Sequence, residues 1–476
     1  MTTLAFSLDG SMLWQHLPWV IFAFCLGACV GSFINVVVHR MPTGMSLLYP
    51  PSRCPVCGGR LRFFRENLPI LGWLFLRGRC RMCGVRISPR YALVELGMGV
   101  LFLGLYVVYF WISYRNPWWG DVAGQWWSVQ QFILAWPAWI CITFLLAALY
   151  AMTVIDARTF TIPIQIPVFI TMTAFVLWPL QGLVARKPRW MDPSAWPIPG
   201  VDWTWCAVAI GGMLGVLIAC FLLWTGRLKY SFSDYEDYVQ EGEVLGDYPH
   251  ARREMWVELA FLIPVILGLI VGGLLGSLLL HGQVPPIWLQ SLGGSMLGYL
   301  VGGGLIWAVR IFGTFGFGRE AMGMGDVHLL GCIGAVMGWF DPILVFFLAP
   351  FIGLAWTLLA SLGTALGSRR RELPYGPHLA VAAVFVLLAR PLVISGWEAL
   401  LPLVPMPARV LMTEETNGFP ASNVDTDRMS TSLDRSSISG FNEPGGRLFL
   451  GDPLMRDGDR WIVDRHSTTQ FPHHAS

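Results

Sequence analysis

Residues 144–156 read Phe144-Leu-Leu-Ala-Ala-Leu-Tyr-Ala-Met-Thr-Val-Ile155-Asp156, an unbroken apolar run that stops on a carboxylate. Apolar and polar residues do not alternate in it, so it is no barrel strand. Taken back to Phe132 it exceeds the ~20 residues that a helix needs to cross a bilayer. Runs of this kind recur at Trp19–Val38, Ala92–Ile112, Phe132–Ile155, Pro163–Leu183, Trp205–Trp224, Leu259–Leu280, Trp288–Ile311, Val327–Trp339, Leu344–Ala365 and Leu379–Leu401. They predict an all-α polytopic membrane protein with about ten transmembrane helices. Two spans are weak: Val327–Trp339 is short for a full crossing, and the last is interrupted by Arg390 and Pro391.

The composition agrees. Of 476 residues 55% are hydrophobic and 13% charged, against about a quarter charged in soluble proteins. The mean hydropathy is +0.57, and 52 Gly and 23 Trp suit membrane helices and their interfaces. A net charge of +2 offers no ground for a nucleic-acid partner. Between Arg40 and Arg90 eight arginines, Arg53, Arg60, Arg62, Arg65, Arg77, Arg79, Arg81 and Arg86, face the lone acid Glu66. This is the signature of a cytoplasmic loop, and it predicts an external N-terminus. Met1–Trp19 has no basic n-region and no small-residue cleavage motif, so the first span is expected to be uncleaved. Alternation then puts Asp156, the Arg227–Glu258 loop, Arg310–Asp326 and Arg369–Arg371 on the cytoplasmic side; Arg186, Lys187 and Arg189 fall outside, against the trend.

Six of the ten cysteines, Cys25, Cys29, Cys141, Cys206, Cys220 and Cys332, sit in apolar spans and read as small buried hydrophobes. The other four form two knuckles, Cys54-Pro-Val-Cys57-Gly and Cys80-Arg-Met-Cys83-Gly, separated by 22 residues. That spacing is close to that of a four-thiolate zinc site, and nearby arginines favour thiolate over thiol. Disulfide or redox pairs are the alternative, disfavoured in a reducing cytoplasm. Four cysteine ligands leave no open coordination position, so the predicted zinc is structural and supplies folding energy to the loop.

Few carboxylates lie at span edges. Asp156 ends one apolar run, and Asp326 closes Gly323-Met-Gly-Asp326 before another. Two carboxylates brought together cannot both ionise, so one holds a proton and the pair can act as general base and general acid in peptide hydrolysis. Gly323 and Gly325 would let a substrate strand approach closely. The same two residues suit a proton-coupled transporter with a zinc-bearing regulatory loop, and on these residues alone both readings stand. Glu95, just inside the second span, is the third carboxylate of note and is expected to snorkel or to pair with the arginine-rich loop. Asp341, before Pro342, reads as a cap or turn residue.

Gly31-Ser-Phe-Ile-Asn35-Val-Val, the two cysteine knuckles, Asn67-Leu-Pro-Ile-Leu-Gly-Trp73, Ile87-Ser-Pro-Arg90-Tyr and Leu93-Val-Glu95-Leu together resemble the N-terminal half of type IV prepilin peptidases. Gly318-Arg-Glu-Ala-Met-Gly323-Met-Gly-Asp326-Val and Leu373-Pro-Tyr-Gly-Pro377 resemble their C-terminal half. The resemblance covers Gly27–Arg158 and Arg310–Leu388. It implies a GxGD membrane aspartic protease that removes the basic leader of prepilins and pseudopilins at the cytoplasmic face of the bacterial inner membrane, with Asp156 and Asp326 as the catalytic pair. It also implies, for bifunctional members, methylation of the new N-terminus with S-adenosylmethionine, although no glycine-rich cofactor fingerprint occurs here. Membrane lipid and prepilins are the implied partners, and pilus assembly or type II secretion the context. His328 stands where relatives commonly carry Lys, and Arg158 and Ile164 where acidic or amide residues are common.

Asp156 and Asp326 are farther apart in sequence than relatives commonly need, which points to an insertion. The expected division is an N-terminal span at 1–39, a zinc loop at 40–90, spans carrying the first Asp at 91–184, an inserted helix pair at 185–287 with an acidic loop at 226–258, a core with the Gly-Met-Gly-Asp motif at 288–407, and a disordered tail at 408–476.

Overall fold

The structure is a computed structural model, and it describes residues 10–54, 56–112, 125–185, 199–234, 248–279, 284–365 and 374–402, with short pieces at 410–411, 456–457 and 460–461. The predicted tail 408–476, most of the acidic loop and the Arg186 and Arg369 clusters lie largely or wholly outside the described residues.

The described chain is helical almost throughout. Its helices are α1 (Gly10–Arg40), the short α2 (Phe63–Glu66) and α3 (Leu71–Phe75), α4 (Arg90–Tyr106), α5 (Gln125–Thr159), α6 (Gln165–Val184), α7 (Trp203–Trp224), α8 (Ala251–Leu279), α9 (Ile287–Phe317), α10 (Met324–Met337), α11 (Asp341–Ala365), α12 (Tyr375–Leu388) and α13 (Arg390–Leu400). Two-residue strands β1 (Gly200–Val201) and β2 (Val410–Leu411) pair in parallel. A separate unit, 419–476, contains an antiparallel pair, β3 (Arg456–Asp457) and β4 (Arg460–Trp461).

Among the described residues eight helices are long and apolar enough to cross a membrane, which marks an integral membrane protein. Against the expected tally of about ten, these eight are joined by two segments that are not simple spans, a bent pair that counts at most as a ninth and a helix too short to cross. The α12–α13 pair is bent by 93°, where Arg390 leaves the apolar run to meet Asp341 at 2.6 Å. Asp341 is thus more than the expected turn residue: it is fully buried and holds the bend. The other segment, α10, has 14 residues and is therefore only ~21 Å long, against a hydrocarbon core of ~30 Å. It is sheathed by α5, α6, α9, α11 and α12, and from Leu329 to Met337 every residue is buried.

Close helix contact here relies on glycine. At the α9–α10 crossing a Cβ on Gly298 would sit 2.0 Å from the carbonyl oxygen of Gly334, and Ser295 Oγ donates to the Ala335 carbonyl at 2.6 Å. Small residues let backbones approach where lipid supplies no hydrophobic drive between helices. The α7–α8 pair uses the same device at Gly211 against Gly268.

Pro137 interrupts α5, since it lacks an N–H and crowds the preceding turn. Gln181 of α6 repairs the ladder: its Nε2 donates to the Leu134 carbonyl at 2.8 Å, and its Oε1 accepts from the Ala138 N–H at 3.1 Å. The amide bridges two backbone groups that would otherwise be stranded away from water. Of the six cysteines in spans, Cys141, Cys206 and Cys332 are buried as expected, whereas Cys25, Cys29 and Cys220 lie on exposed faces.

Replacing Gly298 by Val is expected to destabilise the folded protein in detergent by ~1–3 kcal/mol through overpacking. Thermal unfolding would read the loss, and an unchanged midpoint would contradict the close crossing.

Candidate active site and metal centre

Three helix ends converge on the candidate active site. Asp156 lies in the last turns of α5, Asp326 in the first turn of α10, and Tyr375 and Gly376 begin α12. Asp156 is 4% exposed, and Asp326 is half-buried. The two carboxylates lie within electrostatic reach of each other, and Tyr375 within that of Asp326. Gly376 lies against the Asp156 carboxylate and Gly323 beside that of Asp326, where an added Cβ would sit 3.6 Å from Oδ2.

Local sequence explains each placement. Gly323, extended at φ −71° and ψ 146°, caps α10, so its motif turns directly from loop into helix and sets Asp326 among the unpaired N–H groups of the first turn. Gly325 packs against the turn after α5: a Cβ there would lie 2.9 Å from Ile162 Cβ. At Gly376 a Cβ would lie 2.5 Å from Asp156 Oδ2. Gly376 thus keeps the space beside the carboxylate open, a role invisible to hydropathy because its partner lies over two hundred residues upstream. Its presence within Leu373-Pro-Tyr-Gly-Pro377 was the available signal. His328, two residues past Asp326, places its Nδ1 3.3 Å from the Tyr299 hydroxyl.

The four knuckle cysteines form a second cluster whose sulfurs all lie within 4.8 Å of one another. The knuckles are two copies of one turn, Arg53-Cys54-…-Cys57-Gly58-Gly59-Arg60 and Arg79-Cys80-…-Cys83-Gly84-Val85-Arg86. In each, a Cys N–H meets a carbonyl five residues on, Gly59 or Val85, and the flanking arginines bridge as short antiparallel pairs. Gly58 and Gly84 take left-handed φ of 68° and 70°, which closes each turn. Across the knuckles Cys54 Sγ lies 3.8 Å from Cys83 Sγ, and Cys57 Sγ 3.9 Å from Cys80 Sγ. A tetrahedron with metal–sulfur bonds of ~2.3 Å has an edge of ~3.8 Å, so the geometry fits one ion held by four sulfurs.

The electrostatics ask for that ion. The backbone amides of Cys57 and Val56 lower the Cys54 thiol to about 6, and those of Cys83 and Met82 lower Cys80. Val85's amide also pulls Cys83 down, but desolvation and the neighbouring sulfurs, Cys57 first among them, raise it to about 12. Four thiols this close cannot all ionise without a cation between them.

Glu95 meets the arginine-rich loop through that loop's backbone. It accepts the Ile70 N–H at 2.6 Å, holding a residue with φ of 62° and so fixing the turn that starts α3. The one acid of the loop, Glu66, pairs with Arg81 at 2.7 Å and accepts the Arg62 N–H at 3.1 Å.

Two family descriptions match the chain: the bacterial peptidase A24 N-terminal domain over residues 25–109, and the type IV leader peptidase family over residues 253–358. Three relatives are each named prepilin leader peptidase/N-methyltransferase. That of Myxococcus xanthus is 57% identical over 84 residues, which cover 18% of this chain and 25% of the relative. That of Klebsiella pneumoniae is 48% identical over 91 residues, covering 18% and 40%. That of Dickeya chrysanthemi is 26% identical over 403 residues, covering 80% and 95%. The first two alignments thus span well under half of those relatives, while the third runs nearly end to end. No solved structure matches the chain. Both domains occur in order along the chain, and the alignment with the Dickeya chrysanthemi relative runs across them, so the chain is similar to type IV leader peptidases in both halves.

Proposed function

We propose that this protein is a membrane aspartic endopeptidase that cuts the basic leader from prepilins or pseudopilins at the cytoplasmic face of the bacterial inner membrane, and that it also N-methylates the new terminus. The observation that carries the proteolytic reading is the convergence of Asp156 and Asp326, far apart in sequence, at one half-open site. In that reading one carboxylate holds a proton and the other is ionised. The ionised one takes a proton from water as the water oxygen bonds to the scissile carbonyl carbon, while the protonated one gives its proton to the carbonyl oxygen. Collapse of the tetrahedral intermediate breaks the C–N bond: the amine leaves with a proton from the carboxyl group formed in the first step, and a hydroxyl of the intermediate returns its proton to the other carboxylate as the C=O bond re-forms. The absent Cβ of Gly376 leaves room beside the Asp156 carboxylate for the reacting groups.

The cytoplasmic placement is supported by the arginine-rich 40–90 loop, which joins α1 to α4. The fourfold sulfur cluster in that loop fits Zn2+, which prefers tetrahedral thiolate sites, and all four positions are taken by protein, so its role is structural. We assign the loop 40–90 as a metal-held domain and the α7–α8 pair as an insertion between the two aspartates.

The methyl donor fits less well. A cavity of about 420 Å3 in the loop is lined by Pro51, Ser52, Arg60, Leu61, Arg62, Asn67 and Arg81. Its three guanidinium groups suit a carboxylate but repel the sulfonium of S-adenosylmethionine, and its lining has no acid to bind ribose hydroxyls. No step is therefore routed through that cofactor. Methylation rests on the relatives' names.

Asp156→Asn and Asp326→Asn are each expected to reduce leader removal from a co-expressed prepilin by at least about a thousandfold, read by the mobility of the pilin on gels; persistent processing in either would refute the pair. Gly376→Ala, which pushes a methyl group into the Asp156 carboxylate, should slow cleavage about tenfold or more. Gly304→Ala, which meets open space, should not. For the metal, zinc analysis of purified protein is expected to find one ion per chain and none in Cys54→Ser; undiminished zinc in the variant would rule out the four-thiolate site.

A further inference from the structure

Arg310 is a deeply buried charge of the C-terminal half, with its side chain 2% exposed. An unpaired guanidinium would be untenable there, and its partners reveal what it does. Its Nε donates to both carboxylate oxygens of Glu258, at 3.0 and 3.1 Å, and Nη2 lies 2.9 Å from Oε1. Its Nη1 binds the Glu320 carboxylate and the Met322 carbonyl. Glu258, likewise 2% exposed in its side chain, also accepts Trp307 Nε1 at 2.8 Å. The Phe232 ring covers the guanidinium, with its centroid 5.3 Å away.

The geometry points to Arg310 as a positioning residue for Asp326. Met322 immediately precedes Gly323, the cap of α10, and Asp326 lies in the first turn beyond it. The guanidinium grips that carbonyl from α9 while a bidentate carboxylate from α8 fixes its own plane, an arrangement that Lys, with a single rotatable ammonium, cannot reproduce. The rest of the Gly318–Met322 loop is tied to the same frame. The Ala321 N–H donates to Thr314 Oγ1 at 3.1 Å, and Arg252 of α8 donates from Nε to the Phe315 carbonyl at 3.0 Å. Helix α8 therefore sets the place of an aspartate that it does not touch. This inference rests on the peptidase reading above and adds to it a residue network, Glu258–Arg310–Glu320, that acts through the loop rather than on substrate.

Steady-state cleavage of a synthetic prepilin peptide by the purified full-length protein tests it, with unfolding midpoint and bound zinc measured on every variant. Arg310→Lys and Glu320→Gln are expected to lower kcat about tenfold to a hundredfold, with KM and midpoint little changed. Because truncating a buried partner alone can unfold the protein, the double variant Arg310→Met with Glu258→Met is included. Such apolar replacement commonly preserves stability, and it should restore the midpoint without restoring kcat, since nothing then holds the Met322 carbonyl. Glu320, 45% exposed in its side chain, can be altered without stranding a wholly buried carboxylate. The proposal is overturned if Glu320→Gln and Arg310→Lys keep kcat within about twofold of wild type, or if the double variant recovers kcat together with its midpoint. Wild-type protein that fails to cleave, or cleavage that survives Asp326→Asn, would instead refute the peptidase reading itself.

Discussion

A helix of 14 residues cannot cross a bilayer, and the architecture of the C-terminal half follows from that shortfall. Helix α10 must be enclosed by protein because its ends would otherwise present unpaired backbone groups to lipid. Four longer helices and the equally short α12 enclose it, and α9 comes near through Gly298 against Gly334 and Gly302 against Leu330. Enclosure has a chemical consequence. The N-terminus of α10 is held at a defined place beside the end of α5, so the carboxylate in its first turn meets the one in the last turns of α5. A spanning helix anchored by lipid alone would be free to slide and tilt, and two carboxylates on such helices would have no fixed separation.

The metal cluster solves a different problem. The 40–90 loop has two short helices, ten arginines and one acid, too little apolar material to fold on burial alone. Two near-identical turns aim four sulfurs at one point, and a cation held there would replace a core. Glu95 then ties the loop to the bundle by accepting the Ile70 amide, a strong hydrogen bond that couples the loop to α4. The two halves of the molecule thus use the same logic: a few polar contacts at helix ends fix elements that apolar packing alone would leave loose.

Much of this was legible in the sequence, and the remainder divides by range. The apolar runs and the twin knuckles are local patterns, and most of the runs and both knuckles stand where hydropathy and spacing put them. What hydropathy could not show is pairing between distant residues. Gln181 mending the gap at Pro137, Gly376 making way for Asp156 and Arg310 meeting Glu258 all join positions with no shared periodicity. Glu258 was also hidden by a boundary. Its charged neighbours Arg252, Arg253 and Glu254 end the apolar window at Leu259, but the helix begins at Ala251, so a residue that reads as loop lies buried within a span. The short α10 and the bend at Arg390 mark the converse case, where apolar runs proved to be a sheathed helix and a broken one.

We propose that one site, made by the ends of α5 and α10, hydrolyses a peptide bond in a pilin-like substrate. Intact-mass spectrometry of a purified prepilin incubated with the purified protein, with and without S-adenosylmethionine, decides whether it does. Loss of the leader mass is expected in both samples, with the added mass of one methyl group only where the donor is present. A substrate of unchanged mass in both, from protein that is folded and zinc-loaded, would contradict it.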